Sequence, residues 1–283
     1  MTITETVGHV RPLTSSDLPG VNRLLDADPV ANCFVNSRVR VAGVDPWRLG
    51  GDILGYFTSE GLQSVVYCGA NLVPVSTNLA ARASFADRLR RIGRRCSSLV
   101  GPADEVLDLW RLLEPSWGPA REVRANQPVM VIDGPPSIDP DPLVREATAE
   151  DLDVLVPACI EMFTAEVGVS PIAGGAASAY RARIAEIVQA RRSFVRIEDG
   201  VVVFKAEVGA VGDGVCQVQG VWVDPRFRGR GNSLGGMAAV VVLGRSRIAP
   251  TISLYVNDYN TAARKSYRSV GFREQGSFAT VLF

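Results

Sequence analysis

The stretch that decides the fold is Val221-Trp-Val-Asp-Pro-Arg-Phe-Arg-Gly-Arg-Gly-Asn-Ser233. It joins a β-branched segment typical of a strand to an apolar run, 234–243, typical of a helix. Gly229 and Gly231 have no Cβ, so a ligand can approach the backbone closely. The N–H groups of such a turn and the positive end of the following helix form an anion site. The stretch predicts a pyrophosphate site, with a solvated surface turn as the alternative.

The side chains of this stretch suit the same ligand. Three arginines, Arg226, Arg228 and Arg230, supply positive charge around a phosphate group. Asn232 or Ser233 adds a side-chain hydrogen-bond donor at the start of the helix.

A second informative stretch spans residues 254–272 and reads LYVNDYNTAARKSYRSVGF. Asn260 stands where a helix N-cap is expected, directly before the helix that we predict from Thr261 to Val270. Tyr267 lies seven residues after Asn260 and therefore on the same helix face. A buried core tyrosine is the alternative role for Tyr267.

Together the two stretches resemble the GNAT acetyltransferase superfamily. Its pyrophosphate signature R/Q-x-x-G-x-G/A is present from Arg226 to Gly231, and its pattern N-x-x-A-x-x-x-Y-x-x-x-G-F is present from Asn260 to Phe272. The resemblance covers residues 144–283. It implies an α+β fold, in which a mixed, mostly antiparallel sheet is flanked by helices.

The resemblance also implies an acetyl-CoA-dependent N-acyltransferase without a metal. A primary amine of a small molecule or peptide attacks the thioester directly, and Tyr267 is the general acid that protonates the departing CoA thiolate. Backbone groups of a splayed strand hold the pantetheine arm. The implied acetyl-CoA site comprises Val221, Trp222, Val223, Arg226, Arg228, Gly229, Arg230, Gly231, Asn232, Ser233, Asn257 and Asn260.

The general base is less clearly marked than the acid. Glu207, midway along a predicted strand, is the leading candidate, and Glu161 and Glu166 at the substrate-side helices come behind it. An ordinary structural or solvated carboxylate is the alternative for each of the three. Gln217 and Gln219 alternate onto one strand face with Val221, so they are expected to line the cleft.

The chain contains two similar openings at a constant offset. Residues 10–18, VRPLTSSDL, and residues 144–152, VREATAEDL, align at an offset of 134 positions (145 − 11). In each copy a threonine N-cap is followed three residues later by an aspartate, which predicts a helix. The proline-rich segment 133–142 separates the copies. We predict tandem GNAT folds: a diverged domain at 1–132, a linker, and an acetyltransferase domain at 143–283.

The predicted elements of the second half follow this fold. We expect helices at about 149–163 and 176–190, then strands at 193–198, 201–208 and 215–223 joined by two tight turns. A strand at 251–256 and a last strand at about 277–282 flank the helix that begins at Thr261. In the first half we expect a helix at about 16–25, strands near 55–57, 64–68, 97–100 and 127–132, and a helix at 104–113.

The first half carries neither motif. Its segment Val100-Gly-Pro-Ala-Asp-Glu105 places acid where arginine would meet a phosphate, so we expect no standard CoA site there. The arginines at 82–95 predict a solvated helix face, with an anionic partner as the alternative. Among tandem GNAT proteins the chain is similar to an actinobacterial group with a diverged N-terminal domain, which we favour, and to mycothiol synthases.

The overall composition excludes several classes of protein. Thirty basic residues balance thirty acidic ones, which argues against nucleic acid as a partner. The single histidine leaves no basis for multi-histidine metal sites, and five scattered cysteines argue against a disulfide scaffold. We expect a cytoplasmic protein without a secretory signal or a membrane partner.

Three hypotheses follow for the function. The first is the N-acetyltransferase described above. The second is an acyl-CoA-binding sensor or scaffold without catalysis, and the third is aminoacyl transfer or protein interaction through the arginines. The acceptor amine, the length of the acyl group and the presence of a homodimer are left open.

Overall fold

The structure, a computed structural model, describes residues 8–283, so the start of the stretch in which we expect no secretory signal lies outside the described residues. The chain divides into two compact units. Unit 1 contains residues 8–129, Tyr255–Tyr259 and Gln275–Phe283, and unit 2 contains Met130–Leu254 and Asn260–Glu274. Each unit thus takes segments from both halves of the sequence, and the domain boundaries given above remain a prediction.

The first half of the chain contains six strands and five helices within the described residues. The strands are β1 (His9–Pro12), β2 (Asp52–Thr58), β3 (Gly61–Cys68), β4 (Asn71–Val75), β5 (Ser98–Pro102) and β6 (Glu122–Ile132). The helices are α1 (Leu18–Asp26), α2 (Cys33–Ala42), α3 (Pro46–Leu49), α4 (Leu79–Ile92) and α5 (Ala103–Trp117).

The second half of the chain contains six strands and four helices. The strands are β7 (Arg145–Glu146), β8 (Ser193–Glu198), β9 (Val201–Val211), β10 (Val215–Val223), β11 (Thr251–Tyr255) and β12 (Arg273–Leu282). The helices are α6 (Leu152–Val167), α7 (Ala177–Gln189), α8 (Asn232–Arg247) and α9 (Thr261–Val270).

The sheet of unit 1 is mostly antiparallel. Strands β1 to β4 pair antiparallel in chain order, and β4 pairs parallel with β5. The end of the chain completes this unit, because Phe278–Leu282 of β12 pair antiparallel with β5. Helices α4 and α5 pack on one side of this sheet around Phe85, Leu109 and Leu113.

The sheet of unit 2 has the strand order β7-β8-β9-β10-β11. Its first four strands are antiparallel, and β10 pairs parallel with β11. Helices α6 and α7 pack together through Leu155, Cys159 and Ile184. The predicted mixed α+β fold with a mostly antiparallel sheet is confirmed.

The two openings of the repeat form the same local structure. Asp17 accepts hydrogen bonds from the Thr14 backbone N–H at 2.8 Å and from the Arg11 guanidinium at 2.8 Å. Asp151 accepts the equivalent bonds from the Thr148 N–H at 2.7 Å and from Arg145 at 2.7 Å and 2.8 Å. One capping motif therefore starts the first helix of each copy.

The second capping motif makes stability depend on pH. Mainly through the hydrogen bonds from Arg145, the pKa of Asp151 is lowered to about 2. Because the pKa of Asp151 is lower in the folded state, the ionised carboxylate stabilises the fold at pH values above the ordinary carboxyl pKa. This stabilisation is lost as the pH falls towards 2. We expect Asp151→Asn to lower the free energy of unfolding by about 1–2 kcal/mol at pH 7.

Urea denaturation at several pH values measures this effect. The difference between Asp151→Asn and the wild type should shrink as the pH falls from 5 to 3. Asp153→Asn serves as the control, because the pair of exposed Asp153 with Arg181 is expected to contribute little. A difference that is equally large at both pH values would contradict the role given to ionised Asp151.

Within residues 8–283, no helix has both the length and the hydropathy that a bilayer-spanning segment requires.

Candidate active site

Strand β10 separates from β11 before it reaches the glycine-rich loop. Only Val215, Cys216 and Gln217 of β10 have partners on β11. The strand then continues beside β9 to Val223, whose neighbour Asp224 donates its N–H to Val203 at 3.1 Å. A cleft therefore opens along one edge of β10.

The backbone of β10 faces this cleft at alternate residues. The hydrogen bond from Asp224 to Val203 and the pairing of Trp222 with Lys205 place the even-numbered residues towards β9. In an antiparallel ladder the direction of N–H and C=O alternates from one residue to the next. Val223 and the Val221 carbonyl therefore face the cleft, whereas the Val221 N–H lies within the register shift between Gln219 and Trp222.

The loop after β10 is shaped by two glycines. Gly229 and Gly231 have φ angles of 73° and 80°, the left-handed region that favours glycine. A Cβ built on either residue would have no heavy atom within 4 Å, so both point into open space. Helix α8 starts directly after Gly231. The loop thus offers backbone N–H groups and a helix N-terminus to an anion.

A cavity of 460 Å³ lies between this loop and α9. Arg228 and Lys265 contribute positive charge to its lining, and Ser233 and Ser266 line it with their hydroxyl oxygens 3.0 Å apart. The dimensions and the charge suit a phosphorylated ligand.

The predicted arginines take different positions. Arg228 lines the cavity and donates from Nε to the Val223 carbonyl at 3.0 Å. The Arg226 guanidinium instead binds both carboxylate oxygens of Asp224, at 3.0 Å and 2.7 Å. Arg230 lies over the Phe227 ring, 5.8 Å from its centroid. The structure therefore brings one of these three guanidinium groups to the cavity.

Asn232 and Asn260 have local structural partners. The Asn232 side chain lines the cavity, donates to the Phe227 carbonyl at 2.8 Å and accepts from Arg196 at 3.1 Å. Asn260 accepts from the Ala263 N–H at 3.1 Å, so it is the N-cap of α9 as predicted.

Asn257 belongs to unit 1, where its side-chain oxygen accepts from Gln127 at 2.8 Å. The Gln127 oxygen in turn accepts from Thr280 at 2.6 Å. This chain of hydrogen bonds gives Asn257 a structural role, in addition to the cosubstrate contact that the resemblance implies.

Tyr267 is buried in unit 2. Its side chain is 6% exposed and its ring packs on Phe272 with a centroid distance of 5.9 Å. Burial, together with the negative charge of Glu166, raises the pKa of the Tyr267 phenol well above its usual value. The phenol therefore remains protonated at neutral pH, as a proton donor must.

Glu207 is held in a polar cluster with Gln219 and Lys205. Its carboxylate accepts from Gln219 at 2.8 Å and lies 3.9 Å from the Lys205 ammonium. The other two candidate bases lie on α6. Glu161 lines a separate cavity of 280 Å³ together with Arg226, and Glu166 interacts with Tyr267 through its charge.

The alternation that we predicted for Gln217, Gln219 and Val221 is interrupted before Val221. The pairing of β9 with β10 shifts register between Gln219 and Trp222, where β10 carries an extra residue. The prediction that Val221 shares a face with the two glutamines is therefore wrong. Of the two glutamines, Gln217 is buried and Gln219 is exposed. A β-bulge changes the direction of the following side chains.

Several lining residues on α9 are not among the predicted site residues. Lys265, Ser266 and Ser269 face the cavity together with Ala262. Their spacing of three and four residues marks one stripe of the helix, which is a signal available in the sequence. Lys205, a charged residue in the middle of an apolar strand, is a second signal of this kind.

In unit 1 a carboxylate lies at the corresponding loop. Before α4, the Thr77 backbone N–H donates to Glu105 at 2.8 Å, and the Thr77 hydroxyl donates to the same oxygen at 2.5 Å. Arg82 nearby binds Asp108 at 2.7 Å. The segment 100–105, which we predicted to be the loop at the phosphate position, is not a loop, because residues 100–102 belong to β5 and α5 begins at Ala103. The absence of a standard CoA site in unit 1 remains a prediction.

Comparisons with known proteins bear on both halves of the chain. Residues 162–272 match the model of the Acetyltransferase (GNAT) family, and residues 51–155 match that of a Domain of unknown function (DUF4081). None of the curated protein sequences matches the chain significantly.

Solved structures are similar over nearly the whole chain. A GCN5-related N-acetyltransferase from Sphaerobacter thermophilus has a TM-score of 0.60 at 16% identity, covering 99% of this chain and 97% of that one. A GNAT-family acetyltransferase from Colwellia psychrerythraea has a TM-score of 0.57 at 13% identity and coverages of 97% and 99%.

A tandem GNAT protein from the clavulanic acid biosynthesis pathway has a TM-score of 0.55 at 12% identity, with coverages of 97% and 98%. At such identities these likenesses show the fold. Residues 162–272 are therefore similar to the GNAT acetyltransferase family, and the chain has the fold of the tandem GNAT proteins.

Proposed function

We propose that unit 2 binds acetyl-CoA at the cleft of β10 and transfers its acetyl group to a primary amine of a small molecule or peptide. The observation that carries this proposal is the 460 Å³ cavity at the N-terminus of α8, which the R-x-x-G-x-G loop lines with Gly229 and Gly231. The match of residues 162–272 to the model of an acetyltransferase family supports it.

The residues of the cavity fit the pyrophosphate of acetyl-CoA. Open space above Gly229 and Gly231 leaves room for phosphate oxygens close to the backbone N–H groups. Arg228 and Lys265 supply two positive charges, and Ser233 supplies a hydroxyl group. The backbone groups of Val221 and Val223 lie further along the same cleft, where the amides of a pantetheine arm would pair with them.

Three groups would then carry the chemistry. The Val221 N–H would donate to the thioester oxygen as negative charge develops on it. Tyr267, protonated at neutral pH, would supply a proton to the departing thiolate. Glu207 would take the amine proton, directly or through water. No covalent enzyme intermediate is required.

The test is release of the CoA thiol from acetyl-CoA in the presence of an amine panel. The panel contains amino acids, polyamines, aminoglycosides, cysteinyl sugars and peptide N-termini, with the acetylated products identified by mass spectrometry. We expect amine-dependent thiol release with at least one class. Binding of acetyl-CoA without release across the panel would favour an acyl-CoA-binding sensor or scaffold, and absence of binding would refute the proposal.

A further inference from the structure

Lys205 lies in the middle of β9 with a fully buried side chain. A buried ammonium group is stable only when it is paired and hydrogen-bonded. The Lys205 Nζ donates to the Gly220 carbonyl at 2.9 Å and lies 3.3 Å from the Met162 sulfur and 3.9 Å from the Glu207 carboxylate. Its shortest contact is therefore with the backbone of β10.

The carbonyl that Lys205 holds belongs to a β-bulge. Gln219 pairs with Glu207 and Trp222 pairs with Lys205, so two residues of β10 lie opposite one residue of β9. Gly220 has a φ angle of 59°, and a Cβ built there would lie 3.1 Å from the Lys205 Nζ. Glycine at this position thus permits both the backbone conformation and the approach of the ammonium.

This hydrogen bond also fixes the next N–H group. In a planar trans peptide the C=O of one residue and the N–H of the next point in opposite directions. Because Lys205 holds the Gly220 C=O on the β9 side, the Val221 N–H points to the opposite edge, where β10 and β11 have separated.

We infer that Lys205 is a positioning residue that aims the Val221 N–H at the thioester oxygen of acetyl-CoA. This inference rests on the proposed function. Lys205 itself touches no reacting atom, since its ammonium is enclosed by Met162, Glu207 and the bulge. Its ammonium also lies 3.9 Å from the carboxylate of Glu207, the proposed base, so the carbonyl frequency measured without an amine, rather than kcat, isolates its effect on the donor. Binding of the CoA pyrophosphate at α8 should not depend on Lys205.

The experiment measures the infrared stretch of the labelled carbonyl in [¹³C=O]acetyl-CoA bound to the protein without an amine. A hydrogen bond from Val221 should lower the carbonyl frequency in the wild type. In Lys205→Met this lowering should be lost, while the Kd for CoA from calorimetry stays about the same. With an amine substrate, kcat should fall about tenfold to hundredfold.

Lys205→Arg is the conservative variant. It retains a donor and a charge, so it should restore at least part of the frequency shift and of kcat. If Lys205→Met does not fold, as judged by circular dichroism, Lys205→Gln takes its place, because its shorter side chain does not reach the Gly220 carbonyl.

The outcomes separate the inference from the proposed function. A wild-type protein that does not bind acetyl-CoA, or does not shift the carbonyl frequency, would overturn the donor role of the cleft and the inference with it. A shift that is unchanged in the Lys205 variants would overturn the inference alone. Loss of the shift only in parallel with loss of CoA binding would show that Lys205 has a merely structural role.

Discussion

Replacing Tyr267 with phenylalanine is expected to lower kcat for acetyl transfer by about 10²- to 10³-fold, in the range that general acid catalysis contributes. The substitution removes one hydroxyl group and keeps the ring that packs on Phe272. The thiolate would then leave without a proton from the enzyme. Steady-state kinetics with the best amine of the panel, together with calorimetric titration of CoA, measures the effect.

The affinity for CoA should change little in Tyr267→Phe, because Tyr267 is not part of the lining of the 460 Å³ cavity. Tyr56→Phe is the matched control: Tyr56 is a core tyrosine of unit 1 that is 3% exposed, against 6% for Tyr267. A Tyr267→Phe protein with unchanged kcat would show that Tyr267 is only a core residue.

Gly231→Val is expected to weaken CoA binding by at least about tenfold, which corresponds to about 1.4 kcal/mol. Gly231 has a φ angle of 80° and precedes α8. A β-branched residue is strained in this conformation, and its side chain would project into the space proposed for the pyrophosphate. The loop would have to rearrange, and its N–H groups would lose their common direction.

Gly168→Val controls for the backbone strain, because it makes the same substitution as Gly231→Val at a site outside the cavity. Gly168, directly after α6, has φ and ψ angles of 78° and 3°, close to the 80° and −2° of Gly231, and a Cβ added there would also meet no heavy atom within 4 Å. Both variants should lose stability to thermal unfolding, but only Gly231→Val should lose affinity in calorimetric titration with CoA. Equal CoA affinity in the two variants would contradict a phosphate site at this loop.

The sequence predicted unit 2 well because its elements carry strong local signals. Strand β8 and helix α9 have the predicted bounds, Ser193–Glu198 and Thr261–Val270, since a tight turn and an asparagine N-cap mark their ends. Strand β12 starts at Arg273, four residues earlier than predicted. The prediction begins too late because the first residues of this strand are polar or charged and have low strand propensity.

The first half was predicted less completely, for identifiable reasons. The sequence does not predict helix α2, because this helix is rich in valine and contains asparagine, residues of low helix propensity. It does not predict strand β4, because this strand contains Pro74. The sequence of helix α4 indicates only an arginine-bearing surface. The prediction of a solvated face is wrong for Arg82, which is buried and paired with Asp108.

The candidate site could be predicted as far as its motifs extend. The glycine loop and the Asn260 cap have a fixed spacing in the sequence, so they were found. The ion pair of Arg226 with Asp224 joins residues two positions apart, but the family motif assigns this arginine to the phosphate instead. The bulge at Gly220 depends on how β9 and β10 pair, and such a tertiary contact leaves no local pattern. The role of Lys205 follows only from that pairing.

The most direct test of the central claim is a crystal structure of the protein with acetyl-CoA. We predict pyrophosphate oxygens within hydrogen-bond distance of the backbone N–H groups from Gly229 to Ser233, and the thioester oxygen next to the Val221 N–H. Acetyl-CoA bound elsewhere, with the N-terminus of α8 free of phosphate, would contradict the proposed function.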